Sequence, residues 1–177
     1  PEGVGERGVA GGEPVPVVVP GLVPEVTEQR AVALPHRHLH AGAGDRVGAA
    51  SGGIWKTKNA GITWEPIFDG EKSFAIGCIT IDPNRPETIW VGTGEAVSGR
   101  HVAWGSGVYK SLDGGATWQA MGLDRSEHIG AILVDPRDGD VVHVAAEGPL
   151  WSSGGERGLF TTRDGGATWE PSLVIDD

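Results

Sequence analysis

The sequence predicts an all-β chain, an incomplete β-propeller of about three four-stranded blades preceded by an irregular N-terminal segment. Three observations carry that expectation. One pattern occurs three times, as GIWKTKNAGITW at 53–64, GVYKSLDGGATW at 107–118 and GLFTTRDGGATW at 158–169. A second recurs in phase with it, as CITIDPNRPETIWVG at 78–92 and AILVDPRDGDVVHVA at 131–145. Gly and Pro, 30 and 12 of the 177 residues, favour short strands and turns over helices. Two unlike patterns sharing one period of about fifty residues define a unit of the size of a propeller blade.

Residues 1–47 read as an irregular or disordered, Pro- and Gly-rich segment. All 7 Trp, all 3 Phe and the lone Tyr109 fall at or after Trp55. A packed core without a single aromatic is not expected over the stretch before it. Residues 48–177 then hold the end of one blade, one complete blade and most of a third.

Each unit reads as four strands. ITI or ILV is the first, stopped by Asp82-Pro83 or Asp135-Pro136, because Pro cannot donate to a ladder and restricts the residue before it. TIWVG or VVHVA is the second, rich in β-branched residues. GVYKS or GLFTT is the third, and the fourth begins at the Thr-Trp pair after a Gly-rich hairpin.

The hairpin has a mechanical reading. Asp113 is expected to accept backbone N–H groups two or three residues on, while Gly114 and Gly115 allow positive φ. Thr117 closes the turn and Trp118 returns to the blade interface as an apolar anchor. The same structural roles fall to Ser111 and Gly115, and in the third copy to Thr162, Asp164, Gly166, Thr168 and Trp169. In the first copy, with Gly61, Thr63 and Trp64, Asn59 replaces the Asp and accepts through an amide oxygen without charge.

These turns, S-x-D-x-G-x-T-W in form, resemble the Asp-box, or bacterial neuraminidase repeat. That repeat is found in sialidases, xyloglucanase-type glycoside hydrolases, sortilin-type receptors and photosystem II assembly-factor-like propellers. The flanking words GAASGGIWKT, WVGTGE with WGSGVYKS, and SEHIGAILVDP with ERGLFTTRDGGATWE are similar to bacterial proteins with a sortilin-like, glycosyl hydrolase-like propeller. The resemblance covers about residues 48–177. It implies a secreted or periplasmic protein with no cofactor, completed by further blades of a longer chain. The family pattern would also place a strand pair before GAASGG. LPHRHLHAGAGDRVGAASGG lacks that pair, which favours a reading of this stretch in the wrong frame over a natural extension.

A residue demanded by every copy of a turn serves the turn, so Asp113 and Asp164 are read as structural rather than catalytic. Tyr109 fills the slot of Trp55 and Phe160 and is read as a core aromatic, not as the Tyr nucleophile a sialidase would use. No arginine cluster is assignable from Arg85, Arg100, Arg125, Arg137, Arg157 and Arg163. The ligand-binding candidates lie where the copies differ. GEAVSGRHVAWGS brings Glu95, Arg100, His101 and Trp104 together, and EGPLWSSGGER brings Glu147, Trp151, Glu156 and Arg157. Long loops on a rigid scaffold concentrate binding residues, and an aromatic, a carboxylate and an Arg suit a carbohydrate or peptide.

Composition narrows the partners. A formal charge of −10 disfavours nucleic acid and anionic membranes. With Cys78 alone there is neither an intrachain disulfide nor a thiolate metal site. His36, His38 and His40 alternate, but without a carboxylate beside them they are read as an accidental cluster and no metal is expected. His128 and His143 occupy repeat positions. No apolar run is long enough to span a bilayer. Two functions remain. The preferred one is a non-catalytic, sortilin-like scaffold binding a ligand or protein. The alternative is part of a polysaccharide-acting, xyloglucanase-like glycoside hydrolase with carboxylates supplied by different blades.

Overall fold

The computed structural model describes residues 45–96 and 102–175. His36, His38, His40, Arg100 and His101 lie outside the described residues.

Over the described residues the chain is an incomplete β-propeller of three antiparallel sheets, each laid down in sequence order. The first contains β1 (Asp45–Ala49), β2 (Gly53–Thr57) and β3 (Glu65–Pro66). The second contains β4 (Ile76–Ile81), β5 (Ile89–Thr93), β6 (Val108–Ser111) and β7 (Gln119–Ala120). A short 3-10 turn, Asp124–Ser126, leads to the third, with β8 (Ile129–Asp135), β9 (Asp138–Ala146), β10 (Gly158–Thr162) and β11 (Glu170–Val174). β4 ends one residue before Asp82-Pro83 and β8 ends at Asp135, so the Asp-Pro pairs mark the strand ends they were expected to mark.

One expectation is corrected at the start. DRVGA is a strand, β1, pairing with β2 from Asp45↔Thr57 to Ala49↔Gly53, so residues 45–47 are not irregular. Its signal is weak because Val47 is its only β-branched residue and its two charges are buried. Arg46 is 1% exposed and donates to the Gly114 carbonyl of the next sheet, with Glu87 3.9 Å away.

Two apolar clusters hold the sheets together. Between the first and second lie Ile54, Phe68, Ile76, Ile79, Ile89, Val91 and Tyr109. Between the second and third lie Cys78, Trp90, Val108, Leu123, Ile132, Val134, Val142 and Val144. Burying a ring such as Trp90, which is 0% exposed, is worth on the order of 4–6 kcal/mol by area, before entropy is subtracted. Both innermost strands carry a bulge at an equivalent Gly, Gly77 in β4 and Gly130 in β8. At Gly77 a Cβ would collide with the carbonyls of Gly94 and Ile129, so the close approach of β4 to β8 requires glycine.

The repeated turn is a closed hydrogen-bond ring. Asp113 Oδ1 accepts the Thr117 N–H and the Ser111 hydroxyl at 2.8 Å each, and Oδ2 accepts the Thr117 hydroxyl at 2.6 Å. Ser111 Oγ in turn accepts the Gly115 N–H at 2.8 Å. The aspartate therefore reaches the amide four residues ahead as well as that of Ala116, three ahead, while the Gly114 N–H is taken by the Glu87 carbonyl and the Gly115 N–H by the Ser hydroxyl. Asp164 repeats the ring with Thr162, Gly166 and Thr168. Asn59 accepts the Thr63 N–H but donates Nδ2–H to Thr63 Oγ1, reversing the last bond.

From this turn each sheet is tied to its neighbour in both directions. Trp118 donates its indole N–H back to Ile67 of the first sheet, and Trp169 to Met121 of the second. Forward, Lys56 donates to the Gly114 carbonyl at 2.9 Å and Lys110 to the Gly165 carbonyl at 2.8 Å. The position in β10 matching these lysines is Thr161.

Candidate functional site

Antiparallel connection sorts the loops to two ends of the sheets. The Asp-bearing turns share one end with the short β4–β5 and β8–β9 turns, as the bonds from Gly114 N to Glu87 O and from Gly165 N to Asp140 O require. The β1–β2, β5–β6 and β9–β10 loops and the links between sheets gather at the other. Glu95, Trp104, Glu147, Trp151 and Arg157 all belong to that loop end, so Asp113 and Asp164 sit at the opposite end from them.

Glu95 follows β5 and is 8% exposed. Its Oε1 accepts the Ser51 hydroxyl of the first sheet at 2.6 Å. Its carbonyl accepts Nδ1–H of His128, a fully buried residue on the link into the third sheet, at 3.0 Å. The carbonyl of His128 then accepts the Glu147 N–H at 2.9 Å. A chain of bonds thus runs from the first sheet through Glu95 and His128 to Glu147 of the third. Glu147 leaves β9 with its carboxylate over Gly130, where a Cβ would strike Oε1. The bulge glycine therefore makes the space that the carboxylate occupies.

Two indoles belong to the same end. Trp104 is 66% exposed and Trp151 70%. The Trp104 loop is clamped at its base, where Thr93 Oγ1 donates to Gly107 O and accepts the Ser106 N–H, both at 2.7 Å. The Trp104 carbonyl also accepts the Ser73 hydroxyl at 3.0 Å. The Trp151 loop is held from within: Arg157 Nη2 donates to Pro149 O at 2.7 Å and to Ser152 O at 3.5 Å. Glu156 is turned to the 3-10 segment, its Oε2 accepting the Arg125 N–H. Hence Glu95, Trp104, Glu147 and Trp151 share the loop end, whereas Arg157 and Glu156 fix loop geometry.

Sequence reasoning missed Ser51 and His128 as partners of Glu95, because hydrogen bonds between repeats leave no local pattern. The recurring Ile-Gly of the inner strands, at 76–77 and 129–130, was a readable signal for the bulges. Cys78 is wholly buried, its thiol pushed up to about 12 by desolvation. Among the described residues no group of three His, Cys, Asp or Glu is placed to hold a metal, and no helix is long and apolar enough to cross a membrane.

No family model matches the chain, and no curated protein does. Solved structures do. A GH74 enzyme of Niastella koreensis superposes with a TM-score of 0.51 at 25% identity, over 71% of this chain and 19% of that one. An ancestral GH74 enzyme gives 0.57 at 17% identity, over 84% and 18%. The GH74 xyloglucanase of Xanthomonas campestris gives 0.52 at 18%, over 74% and 20%. The fold is that of these β-propeller glycoside hydrolases, and the chain spans about a fifth of the length of each.

Proposed function

We propose that the chain is part of a polysaccharide-acting glycoside hydrolase of GH74-like architecture, with the loop end as its carbohydrate face. The observation that carries this reading is the match to the Niastella koreensis enzyme, at 25% identity over 71% of the chain. The geometry of the loop end supports it. Trp104 and Trp151 offer exposed rings for stacking on sugars, and Glu95 and Glu147 are acids from different sheets, as glycoside hydrolysis employs. The xyloglucan substrate of the Xanthomonas campestris enzyme makes a β-glucan the first substrate to try. Acting on such a polymer implies a secreted or periplasmic location.

The repeated turns we assign to the Asp-box, on the strength of their shared hydrogen-bond ring. The sortilin-like binding scaffold, preferred on sequence, has no counterpart among these matches, which favour the hydrolase.

The test is release of reducing ends from xyloglucan by the full-length protein, compared with Glu95→Gln, Glu147→Gln and Trp104→Ala. Loss of turnover in a Gln variant that still binds polymer supports the reading. A full-length protein that neither cleaves nor retains β-glucan overturns it.

A further inference from the structure

The two interfaces between sheets share a plan and differ at two matched positions: Arg46 of the first is Trp90 of the second, whose ring stands edge-on to Trp169 at 6.3 Å, and the second has no ring where the first has Phe68. Between the first and second sheets the Phe68 ring is 2% exposed and stands edge-on to Tyr109 and Trp118, with centroids 5.3 and 5.0 Å away. The residue before it, Ile67, donates its N–H to Ile54 O, as Met121 of the second sheet donates to Val108 O. From these matched positions one chain continues with Phe68 and the other with Gly122. Phe160 and Trp169 take the places of Tyr109 and Trp118, but Met121-Gly122-Leu123-Asp124 has no ring to set between them. Gly122 turns at φ 92°, and a Cβ built there would meet only Trp169, at 3.7 Å or beyond.

A cavity of about 490 Å³ opens beside Gly122 on the outer rim. Its walls include Met121, Gly122, Phe160 and Trp169, with the carboxylate-bearing Asp124 and Glu156, and no Lys or Arg. Phe160 is accordingly half-buried, whereas Tyr109 is 1% exposed. The volume falls within the range of small-molecule sites, about 300–1,000 Å³. Glu95, Trp104, Glu147 and Trp151 do not line it, so it stands apart from the loop-end site.

We propose that this cavity binds a small molecule presenting one aromatic ring and a cationic amino group, an aryl-alkyl amine by class. The ring takes the place that Phe68 fills one interface earlier, edge-on to two aromatic walls, an arrangement favoured by the ring quadrupoles. The amine is set against the wall that Asp124 and Glu156 form, the latter with one carboxylate oxygen already accepting the Arg125 N–H, in a chain of net charge −10.

The probe is 2-phenylethylamine, titrated into the full-length protein while Trp emission is read, since Trp169 lines the cavity. A saturable change is expected, weakened about tenfold or more by Phe160→Ala and abolished by Met121→Phe, which fills the space. Replacing both acids, Asp124→Asn with Glu156→Gln, should weaken the amine but leave benzyl alcohol binding unchanged. No saturable response in the wild type overturns the proposal. So does a response that Phe160→Ala and Met121→Phe leave intact, because the amine would then sit elsewhere, as on Trp104 or Trp151.

Discussion

Trp118 donates its indole N–H to the carbonyl of Ile67, one sheet earlier, at 2.6 Å, whereas the corresponding N–H of Trp64 reaches only Gly61 of its own turn, at 3.2 Å. One motif position thus closes its own turn in the first copy and ties two sheets together in the second.

Trp118→Phe keeps most of the ring's apolar surface and removes the cross-sheet donor. Stability should fall by about 1–3 kcal/mol, because the Ile67 carbonyl loses a partner at a half-buried interface. Trp64→Phe should cost less. Denaturant midpoints of the two variants measure the difference, and equal losses would contradict the cross-sheet role.

The turns make acid stability titratable. The Thr117 hydroxyl first, then the Thr117 N–H and the Ser111 hydroxyl, hold Asp113 at about 2 against an ordinary 3.8. Asp164 is lowered likewise by Thr162 and Thr168. A depressed carboxylate contributes stability that is fully present above its unfolded value and is lost as pH falls through the folded one. The melting temperature should therefore decline from about pH 4 towards pH 2. Asp113→Asn with Asp164→Asn should lower the neutral-pH melting temperature and flatten that decline. Asn59 already occupies the first copy, so the fold tolerates the change. An unaltered acid limb would refute the assignment.

Arg157 spends its guanidinium on the carbonyls of the loop that carries Trp151. Arg157→Ala should expose that loop to proteases, with new cleavage between residues 149 and 156 and little change in global melting. Unchanged digestion kinetics would show that other contacts suffice.

The outer face of the third sheet carries Leu133, Leu159 and Leu173 at 53, 37 and 58% exposure. Expressed alone, the chain should aggregate or bind an apolar dye through this face. Leu133→Lys with Leu173→Lys should reduce both. A wild-type chain that melts cooperatively as a monomer without dye binding would contradict the expectation.

The repeat made most of the architecture legible. Turns, strand ends at Asp-Pro and tryptophan anchors follow from residues a few positions apart, so a pattern reveals them. β1 escaped because Asp45 and Arg46 look solvated, and Arg46 is held in place by Gly114, 68 residues away. At the loop end the residue types were legible and their partnerships were not. Ser51 and His128 meet Glu95 only because three sheets converge there. The rim cavity is visible in neither repeat alone, since it opens beside Gly122, which lies where its counterpart is Phe68.

The lysine latches have a mechanical consequence. Lys56 and Lys110 each clip onto the next sheet while a tryptophan clips back, so a seam of this kind resists shear from two points at one end of the blade. Thr161 is too short to reach a neighbouring turn in that way. A sheet docking on that face would lack the lysine latch that the two earlier seams share, leaving that seam with one fewer polar tie against shear.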